Sequence, residues 1–221
     1  MFFQVFKKPQ DYEKILELQK KIRKDIISGK HGEGVVLILS HKPVITMGIR
    51  GNRSNILMND KELSEKKISL VKIRRGGDVT YHSPRQCIIY PILNFKKTGF
   101  RSVRDFVTWW GNFLAELIKE KHEISQIKWS EKQPGIWKGK KKIASVGFHF
   151  KKFVAIHGFA VNIKSDVNVF RMMYPCGMKN TEMTSICEET GKSLSVTAFA
   201  DDIIGDLGKK SFTLTPWKEI V

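Results

Sequence analysis

Residues 143–163 read IASVGFHFKKFVAIHGFAVNI, two largely apolar runs on either side of two lysines. Runs of this length, rich in valine, isoleucine and phenylalanine, are typical of β-strands. The short polar break between them favours a hairpin with a tight turn at Lys151-Lys152. Because a tight turn joins antiparallel neighbours, this stretch favours an α+β fold and argues against a sheet built from βαβ crossovers.

The segments around the hairpin predict further strands and separate helices. Apolar runs bounded by turn residues predict strands at residues 2–6, 35–39, 70–73 and 87–93. A capping residue followed by an apolar stripe predicts helices from Asp11 to about residue 27, from Ser102 through residue 117, and from Ser193 or Ser195 through residue 207. The sequence thus predicts one α+β domain over residues 1–221, a mixed sheet with flanking helices.

Composition and charge exclude several classes of protein. The chain has 221 residues, 41% of them hydrophobic, which is enough for a packed core. It contains no apolar run long enough for a transmembrane helix and no signal-peptide pattern at its start, so we expect a cytoplasmic location. The 39 Lys plus Arg against 22 Asp plus Glu give a net charge of +17. Scattered lysines without interleaved aromatics favour a basic soluble surface over a nucleic-acid platform.

The chain contains three cysteines, Cys87, Cys176 and Cys187. An odd number without C-x-x-C spacing predicts neither a disulfide framework nor a zinc site, and we expect no metal and no cofactor. Cys176 differs from the others because Pro175 and Gly177 flank it, which places it on a loop or turn. We expect the backbone N–H of Gly177 to be available to a developing oxyanion. Cys87 and Cys187 are interpreted as structural.

Three further segments combine glycine with polar side chains: residues 75–82 (RGGDVTYH), 142–147 (KIASVG) and 157–162 (HGFAVN). Paired glycines let the backbone pass close to a ligand, and glycine within an apolar strand often marks a close approach. Each segment alone also has an ordinary interpretation. These are a turn for the first, a solvated lysine for the second and a hydrogen-bonded structural histidine for the third.

Together, these segments resemble the lipoyl(octanoyl) transferases in order and spacing. The resemblance also includes PCG at 175–177, TSI at 184–186, HKPVITMG at 41–48 and GIW at 135–137, and it covers roughly residues 35–190. It implies the biotin/lipoate protein ligase fold. It also implies transfer of an octanoyl chain from acyl carrier protein to a lysine on the lipoyl domain of a dehydrogenase complex or glycine-cleavage protein.

The resemblance further implies roles for individual residues. Cys176 would carry the acyl group as a thioester, and Lys142 would be its proton-handling partner. The implied substrate contacts are Arg75, Gly76, Gly77, Asp78, Val79, Thr80, Tyr81, His82, Ser145, Val146, Gly147, Gly158, Phe159 and Ala160. A thiol must ionise to attack a thioester, and a nearby ammonium favours the thiolate. Backbone N–H groups of Gly147, Gly158 or Gly177, with His82, are candidates for oxyanion support.

The match departs from the family pattern at two positions. The family continues Tyr-His-Gly-Pro-Gly-Gln, whereas this chain has Ser83 and Arg85 in place of the two glycines. If either position required a positive φ, the substitution would cost about 1 kcal/mol or more of strain. Such a change could alter substrate preference or activity.

Two alternatives compete with the transferase interpretation. The first is an ATP-dependent lipoate or biotin ligase on the same fold, which would activate a free acid and need no cysteine. Cys176 and Lys142 argue against it, no Walker-type phosphate loop occurs, and a requirement for ATP would discriminate the two. The second is a non-catalytic module that binds acyl carrier protein or a lipoyl domain by charge.

Overall fold

The structure is a computed structural model that describes residues 1–164, 167–177, 181–210 and 213–217, apart from the side chains of Val167, Asn168 and Cys176. Its strands are β1 Phe2–Val5, β2 Gly34–Leu39, β3 Val44–Met47, β4 Ser69–Lys72, β5 Val79–His82, β6 Gln86–Leu93, β7 Ile127–Ser130, β8 Gly135–Lys138, β9 Lys141–Lys151, β10 Val154–Asn162, β11 Glu182–Met183 and β12 Thr215–Pro216. Its α-helices are α1 Tyr12–Ile27, α2 Asp60–Glu65, α3 Val103–Lys121, α4 Val167–Phe170, α5 Ile186–Thr190 and α6 Val196–Lys209.

The strands form a large and a small sheet. Among the described residues, the large sheet has nine strands in the order β12-β1-β2-β6-β10-β9-β8-β7, with β11 paired to β9. The small sheet has the order β4-β3-β5. The pairs β1–β2 and β3–β4 are parallel, while β2–β6, β6–β10 and β10–β9 are antiparallel. The predicted mixed-sheet α+β class is therefore confirmed.

Helices cover both faces of the large sheet. On one face Ile15, Ile22 and Ile26 of α1 pack with Ile88 and Tyr90 of β6. On the other face α3 and α6 pack over alternate residues of the same strand, among them Cys87 and Ile89. Both faces of the central strands are thus buried, which explains why their sequences are continuously apolar. None of the helices in the described part of the chain is long and apolar enough to cross a membrane.

The predicted helix starts agree with the structure. Asp11 caps α1, Ser102 caps α3, and Ser195 caps α6 by accepting a hydrogen bond from the Ala198 N–H. The sequence Ser102-Val103-Arg104-Asp105 resembles a capping box with Asp in place of the usual Glu. The box is not completed, because the Asp105 carboxylate accepts from the backbone N–H of Arg101 and not from that of Ser102.

The hairpin turn lies one residue later than the sequence predicts. β9 extends through Lys151, and the turn residues are Lys152 and Phe153, with φ of 48° and 66°. Positive φ at both central residues matches the twist of a two-residue hairpin, and this outweighs the apolar character of Phe153. The resulting register places Gly147 opposite Gly158. Because β9 and β10 both have glycine at this point, the surface of the sheet has a local depression. The candidate site lies in this depression.

Candidate active site

Residues 74–78, here called the arch, pass over the β9–β10 hairpin. The Gly76 N–H donates to the carbonyl oxygen of Phe148 at 2.9 Å. A Cβ atom on Gly147 would lie only 2.7 Å from the Gly76 carbonyl oxygen, which is closer than a Cβ atom and an oxygen approach in folded proteins. Gly147 is therefore required for the backbone of the arch to contact β9.

Arg75 anchors the arch to the small sheet. Its guanidinium donates from Nε and Nη2 to Thr46 Oγ1 at 3.1 and 2.9 Å, and from Nη2 to the Thr46 carbonyl oxygen at 2.7 Å. It also donates from Nη1 to the Gly76 carbonyl oxygen at 2.9 Å. Only 7% of the residue is exposed. Charge-assisted bonds of this kind are strong, so Arg75 holds the arch in place as well as lining the site.

A second loop supports the arch from outside. The N–H groups of Gly48, Ile49 and Arg50 donate to the carbonyl oxygens of Asp78, Arg75 and Gly77 at 3.0, 3.0 and 3.1 Å. A side chain on Gly48 would collide with the Gly77 carbonyl oxygen. The HKPVITMG segment singled out by the sequence thus ends in the loop that holds the arch, a structural role that the pattern alone did not indicate.

Lys142 is buried, with 1% of its surface exposed. Its Nζ lies 5.2 Å from the centroid of the Trp137 ring, within cation–π range. A Cβ on Gly135 would collide with Lys142 Cε and lie 3.1 Å from Nζ. The GIW segment therefore accommodates Lys142 in two ways. Gly135 leaves space for the lysine side chain, and Trp137 presents the face of its ring to the amine. Considered alone, this lysine would be expected in solvent, and that interpretation is wrong.

The segment around Cys176 forms a turn against the arch. Pro175–Gly177 is a single 3-10 turn, as the flanking proline and glycine predict. Gly177 has φ 73°, and a Cβ on it would lie 2.6 Å from Asp78 Oδ2. The same carboxylate accepts a hydrogen bond from Asn55 Nδ2 at 2.6 Å, and the Asn55 carbonyl oxygen accepts from the Tyr174 N–H at 2.8 Å. Asp78 thus links the turn to the arch.

The expectation for the Gly177 N–H is wrong. This group donates to the carbonyl oxygen of Tyr174 at 2.9 Å and closes the turn, so it is already in use. The Cys176 thiol lies outside the described side chains, and its predicted role stays a prediction. The chain beyond the turn returns beside the other predicted catalytic residue, since Met183 pairs with Lys142 and the Thr184 N–H donates to the Lys142 carbonyl oxygen at 2.9 Å.

An outer cavity of about 390 Å³ opens beside Lys142. Its walls come from the arch, from β9 and from the segment before β8, and they include Arg50, Gly76, Gly77, Asp78, Val107, Lys132, Gln133, Pro134, Val146, Gly147 and Phe148. This mixture of apolar surface, glycine backbone and one buried amine suits a site where an acyl group reacts.

An inner cavity of about 30 Å³ adjoins the outer one under the arch, and the two share Gly77, Asp78, Val146 and Gly147. Its other lining residues are Tyr12, Arg75, Thr80, His82, Tyr90, Ser145, His157, Gly158, Phe159 and Ala160. Nearly all predicted substrate contacts therefore line one cavity or the other. Val79 and Tyr81 line neither; their side chains pack in the core below the small sheet. His82 lines the inner cavity and Lys142 the outer one.

Histidines and tyrosines close the inner end of the site. Burial lowers the pKa of His41 to about 4 and that of His157 to about 3. Burial, with nearby His41 and Arg75, holds the pKa of His82 well below its ordinary value. All three imidazoles are therefore neutral at physiological pH. His41 Nε2 lies 2.9 Å from the Tyr90 hydroxyl oxygen, and the Tyr12 ring stacks on that of His82.

Sequence reasoning missed the tyrosines of this site. Tyr12 lies at the start of the predicted first helix and Tyr90 lies within the predicted strand at 87–93, and neither pattern singles out its hydroxyl. A tyrosine in such a position carries a hydroxyl that needs a partner when it is buried, which is the clue that could have found both.

The two departures from the family pattern cause no strain of the expected kind. Neither Ser83 nor Arg85 is among the residues with positive φ. The Ser83 hydroxyl oxygen accepts from the Arg85 N–H at 3.2 Å, and the Arg85 carbonyl oxygen accepts from the N–H groups of Ile163 and Lys164, both at 3.1 Å. The turn is thus well bonded with these residues.

The other cysteines fit structural roles. Cys87 is fully buried in the core, and burial raises the pKa of its thiol, which disfavours the reactive thiolate. Cys187 is half-buried and its sulfur lies 3.9 Å from the Leu194 carbonyl oxygen. In the described part of the chain no group of three or more His, Cys, Asp or Glu residues could hold a metal ion.

Comparison with known sequences identifies close relatives. Residues 11–208 match the family described as the lipoyl protein ligase A/B catalytic domain. An octanoyltransferase of Caldicellulosiruptor bescii is 33% identical over 199 residues, covering 90% of this chain and 86% of the relative. An octanoyltransferase of Dictyoglomus turgidum is 37% identical over 191 residues, covering 86% of this chain and 79% of the relative.

Comparison with solved structures shows the fold. LipL1 of P. falciparum in complex with lipoate superposes with a TM-score of 0.71 at 14% identity, over 98% of this chain and 65% of that one. A lipoate-protein ligase A bound with ATP gives 0.71 at 11% identity, over 99% and 90%. At such identities the likeness concerns the fold alone, and it confirms the ligase-type architecture.

Proposed function

The chain belongs to the lipoyl protein ligase A/B catalytic-domain family and is similar to octanoyltransferases, and we propose that Cys176 and Lys142 carry out its octanoyl transfer through an acyl-cysteine thioester. The protein is an acyltransferase of protein lipoylation. The donor is octanoyl-acyl carrier protein, and the acceptor is a lysine of a lipoyl domain of a dehydrogenase complex or glycine-cleavage protein. One catalytic domain over residues 1–221 performs both steps, in the cytoplasm, where a reducing environment keeps a thiol nucleophile available.

The reaction has two half-reactions. In the first, the Cys176 thiolate attacks the carbonyl carbon of the donor thioester, and the departing carrier thiolate takes a proton from the Lys142 ammonium. In the second, the acceptor lysine amine attacks the acyl-cysteine, neutral Lys142 takes the proton released from that amine, and the Cys176 thiolate is regenerated. Donor and intermediate are both thioesters, so the acyl group keeps its high transfer potential and no nucleotide is consumed.

One observation carries this proposal: Lys142 is buried at the outer cavity while the turn that holds Cys176 lies against the same arch. Burying an amine costs free energy. This cost suggests that the Lys142 amine has a chemical role at the site. Gly135, Gly147 and Gly177 each provide space that a Cβ would fill, and together they let the lysine, the arch and the turn meet. This arrangement favours a cysteine-dependent transferase over an ATP-dependent ligase.

A basic groove on the α1 side of the arch supports the proposed partners. The groove has a volume of about 480 Å³, and no acidic residue is among those that line it. Its cationic and imidazole side chains are Lys20, Arg23, Lys72, Arg74, His149, Lys151 and His157. Acyl carrier proteins and lipoyl domains are typically acidic, and complementary charge speeds the encounter of such partners.

Intact-protein mass spectrometry tests the proposal. The purified chain is mixed with octanoyl-acyl carrier protein without ATP, in parallel with Cys176→Ala and Cys187→Ala. We expect an octanoyl adduct that hydroxylamine removes, present in wild type and Cys187→Ala and absent from Cys176→Ala. A folded wild-type protein without any adduct, or one that acylates only when ATP is added, would contradict the proposal.

A further inference from the structure

Lys142 lies at an irregular point of the large sheet. β8 pairs with β9 at Ile136 and Ala144. The next residue of β8, Trp137, pairs with Lys142, so Ile143 is an extra residue of β9 and forms a β-bulge. A bulge re-aims a side chain, but it also disrupts the ladder of hydrogen bonds that would hold the strand. The position of Lys142 therefore depends on contacts beyond its pairing with β8.

Residues 182–187, here called the return segment, supply such contacts. The strand β11 in this segment runs parallel to β9, with Met183 opposite Lys142. The Thr184 N–H then donates to the Lys142 carbonyl oxygen at 2.9 Å. The return segment follows the turn that contains Cys176, so its position bears on both predicted catalytic residues.

Asn162, at the end of β10, holds the return segment from the other side. Its Nδ2 donates to the Thr184 carbonyl oxygen at 2.8 Å, and its Oδ1 accepts from Gln86 Nε2, also at 2.8 Å. Gln86 is the partner of Asn162 across β6 and β10, so the sheet itself orients the Asn162 amide. Asn162, Gln86 and Thr184 are 1%, 3% and 2% exposed, so bulk water does not compete for these bonds.

The Asn162 side chain takes the place of a strand partner for Thr184. β9 and β10 pair as far as Ala144 and Val161, and beyond this point Thr184 bonds to both strands. Its N–H bonds to the backbone of β9, whereas its carbonyl oxygen accepts from the side-chain amide of Asn162. A buried carbonyl oxygen that loses its partner is costly, so without this amide Thr184 would shift to find another donor. A shift of Thr184 would also move or break its bond to Lys142.

We propose that Asn162 is a positioning residue that fixes Lys142 for acyl transfer. It acts through the backbone of Thr184 and lines neither the outer nor the inner cavity. The last residue of the HGFAVN segment and the first of the TSI segment thus share one role, the placement of the amine. The inference rests on the proposed function for what Lys142 does, while the bonds that place Lys142 belong to the fold.

The kinetics of Asn162→Leu in the full chain test this role. Leucine keeps the branched arrangement of heavy atoms and has neither the donor for Thr184 nor the acceptor for Gln86. The single-turnover rate of transfer from octanoyl-acyl carrier protein should fall by about a hundredfold, a loss that a misplacement of about 1 Å can cause. KM for the donor should stay unchanged, because Asn162 lies outside both cavities.

A double-mutant cycle with Lys142→Met separates positioning from a general loss of structure. If Asn162 acts through Lys142, then Asn162→Leu should lower the rate by less than about threefold once the amine is absent. Independent effects would instead multiply. Asn162→Ser, whose hydroxyl is one bond too short to reach the Thr184 carbonyl oxygen, provides the same cycle if Asn162→Leu does not fold.

Asn94→Leu is the matched control. It removes an asparagine side chain just after the other end of β6, where Oδ1 accepts from the Lys97 N–H. This variant should melt at a lower temperature and keep both the transfer rate and KM. A folded Asn162 variant that transfers at the wild-type rate, or whose loss multiplies with that of Lys142→Met, would overturn this inference alone. A wild-type rate in Lys142→Met would overturn the proposed function and this inference together.

Discussion

The outer and inner cavities adjoin under the arch but differ in volume and in the ionisable side chains that line them. The outer cavity is about 390 Å³ and contains the buried amine of Lys142, whereas the inner one is about 30 Å³ and is lined by neutral imidazoles and hydroxyls together with the hydrogen-bonded guanidinium of Arg75. The larger space and the buried amine thus lie in the outer cavity, where the proposed function places the making and breaking of bonds. A substitution in the outer cavity should therefore change the transfer rate, whereas one in the inner cavity should change how stability depends on the protonation of its buried histidines.

The largest effect is expected from the outer cavity. Lys142→Met keeps a long side chain beside Trp137 and removes the amine. Loss of a positioned acid–base group should lower the single-turnover rate of acyl transfer by about a thousandfold. Stopped-flow mixing followed by mass spectrometry measures this rate, with thermal melting as the control for folding. A folded variant that transfers at nearly the wild-type rate would remove Lys142 from the mechanism.

A smaller loss is expected when Lys142 is displaced but kept. Gly135→Ala introduces a Cβ against the Lys142 side chain and 2.7 Å from the Ala144 carbonyl oxygen, at a position with φ 154°. The amine should move and the transfer rate should fall by about thirtyfold, which corresponds to about 2 kcal/mol.

Gly99→Ala is the matched control for backbone strain. Gly99 has φ 87° and nothing within 4 Å of its added Cβ. This variant should lose about 1 kcal/mol of stability and keep its activity. Equal activity losses in both variants would show that strain, and not displacement of Lys142, explains the result.

The buried His157 of the inner cavity should make the free energy of unfolding depend on pH. The pKa of His157 in the folded protein, about 3, is below that of the unfolded chain, so the unfolded state binds more protons as pH falls below about 6.5. The free energy of unfolding should therefore fall between pH 7 and pH 5, by about 2 kcal/mol for this histidine. His157→Asn, which tolerates the left-handed backbone, should show a fall smaller by that amount in urea titrations. Identical pH dependence in both proteins would mean that His157 is not buried in its neutral form.

The smallest effect is expected at the basic groove. Lys72→Glu should raise KM for octanoyl-acyl carrier protein by about threefold at low salt and leave kcat unchanged, since exposed charges act mainly on encounter. The difference should disappear at high salt. Lys61→Glu makes the same charge change on α2, away from the groove. A rise in KM of equal size for Lys61→Glu would assign the effect to net charge and not to the groove.

The parts of the molecule that the sequence predicted are those governed by local patterns. The strands at residues 35–39 and 87–93, the caps Asp11 and Ser102, and the hairpin followed from periodicity and turn residues. The segments of the site followed from their order and spacing. Burial of Lys142 could not follow from a run of lysines, because it depends on Gly135 and Trp137 in another strand.

Other features depended on bonds that no local pattern encodes. The Gly177 N–H closes its own turn. The N–H of His157, a residue with φ 62°, donates to Gln19 Oε1 of α1, which is far away in the sequence. The grouping of Tyr12 and Tyr90 with the histidines arises only when α1 packs on the sheet. These features concern how the site is closed and held, and they are long-range in sequence.

The measurement that tests the central claim most directly is a chase of the isolated acyl-enzyme. Octanoyl-enzyme is freed of donor and nucleotide, mixed with a lipoyl domain, and both proteins are followed by intact mass. The account predicts that the octanoyl group leaves the enzyme and reaches the lipoyl-domain lysine at the rate of steady-state turnover, and that Lys142→Met blocks this transfer. An adduct that stays on the enzyme while added ATP and free octanoate restore acylation of the lipoyl domain would contradict it.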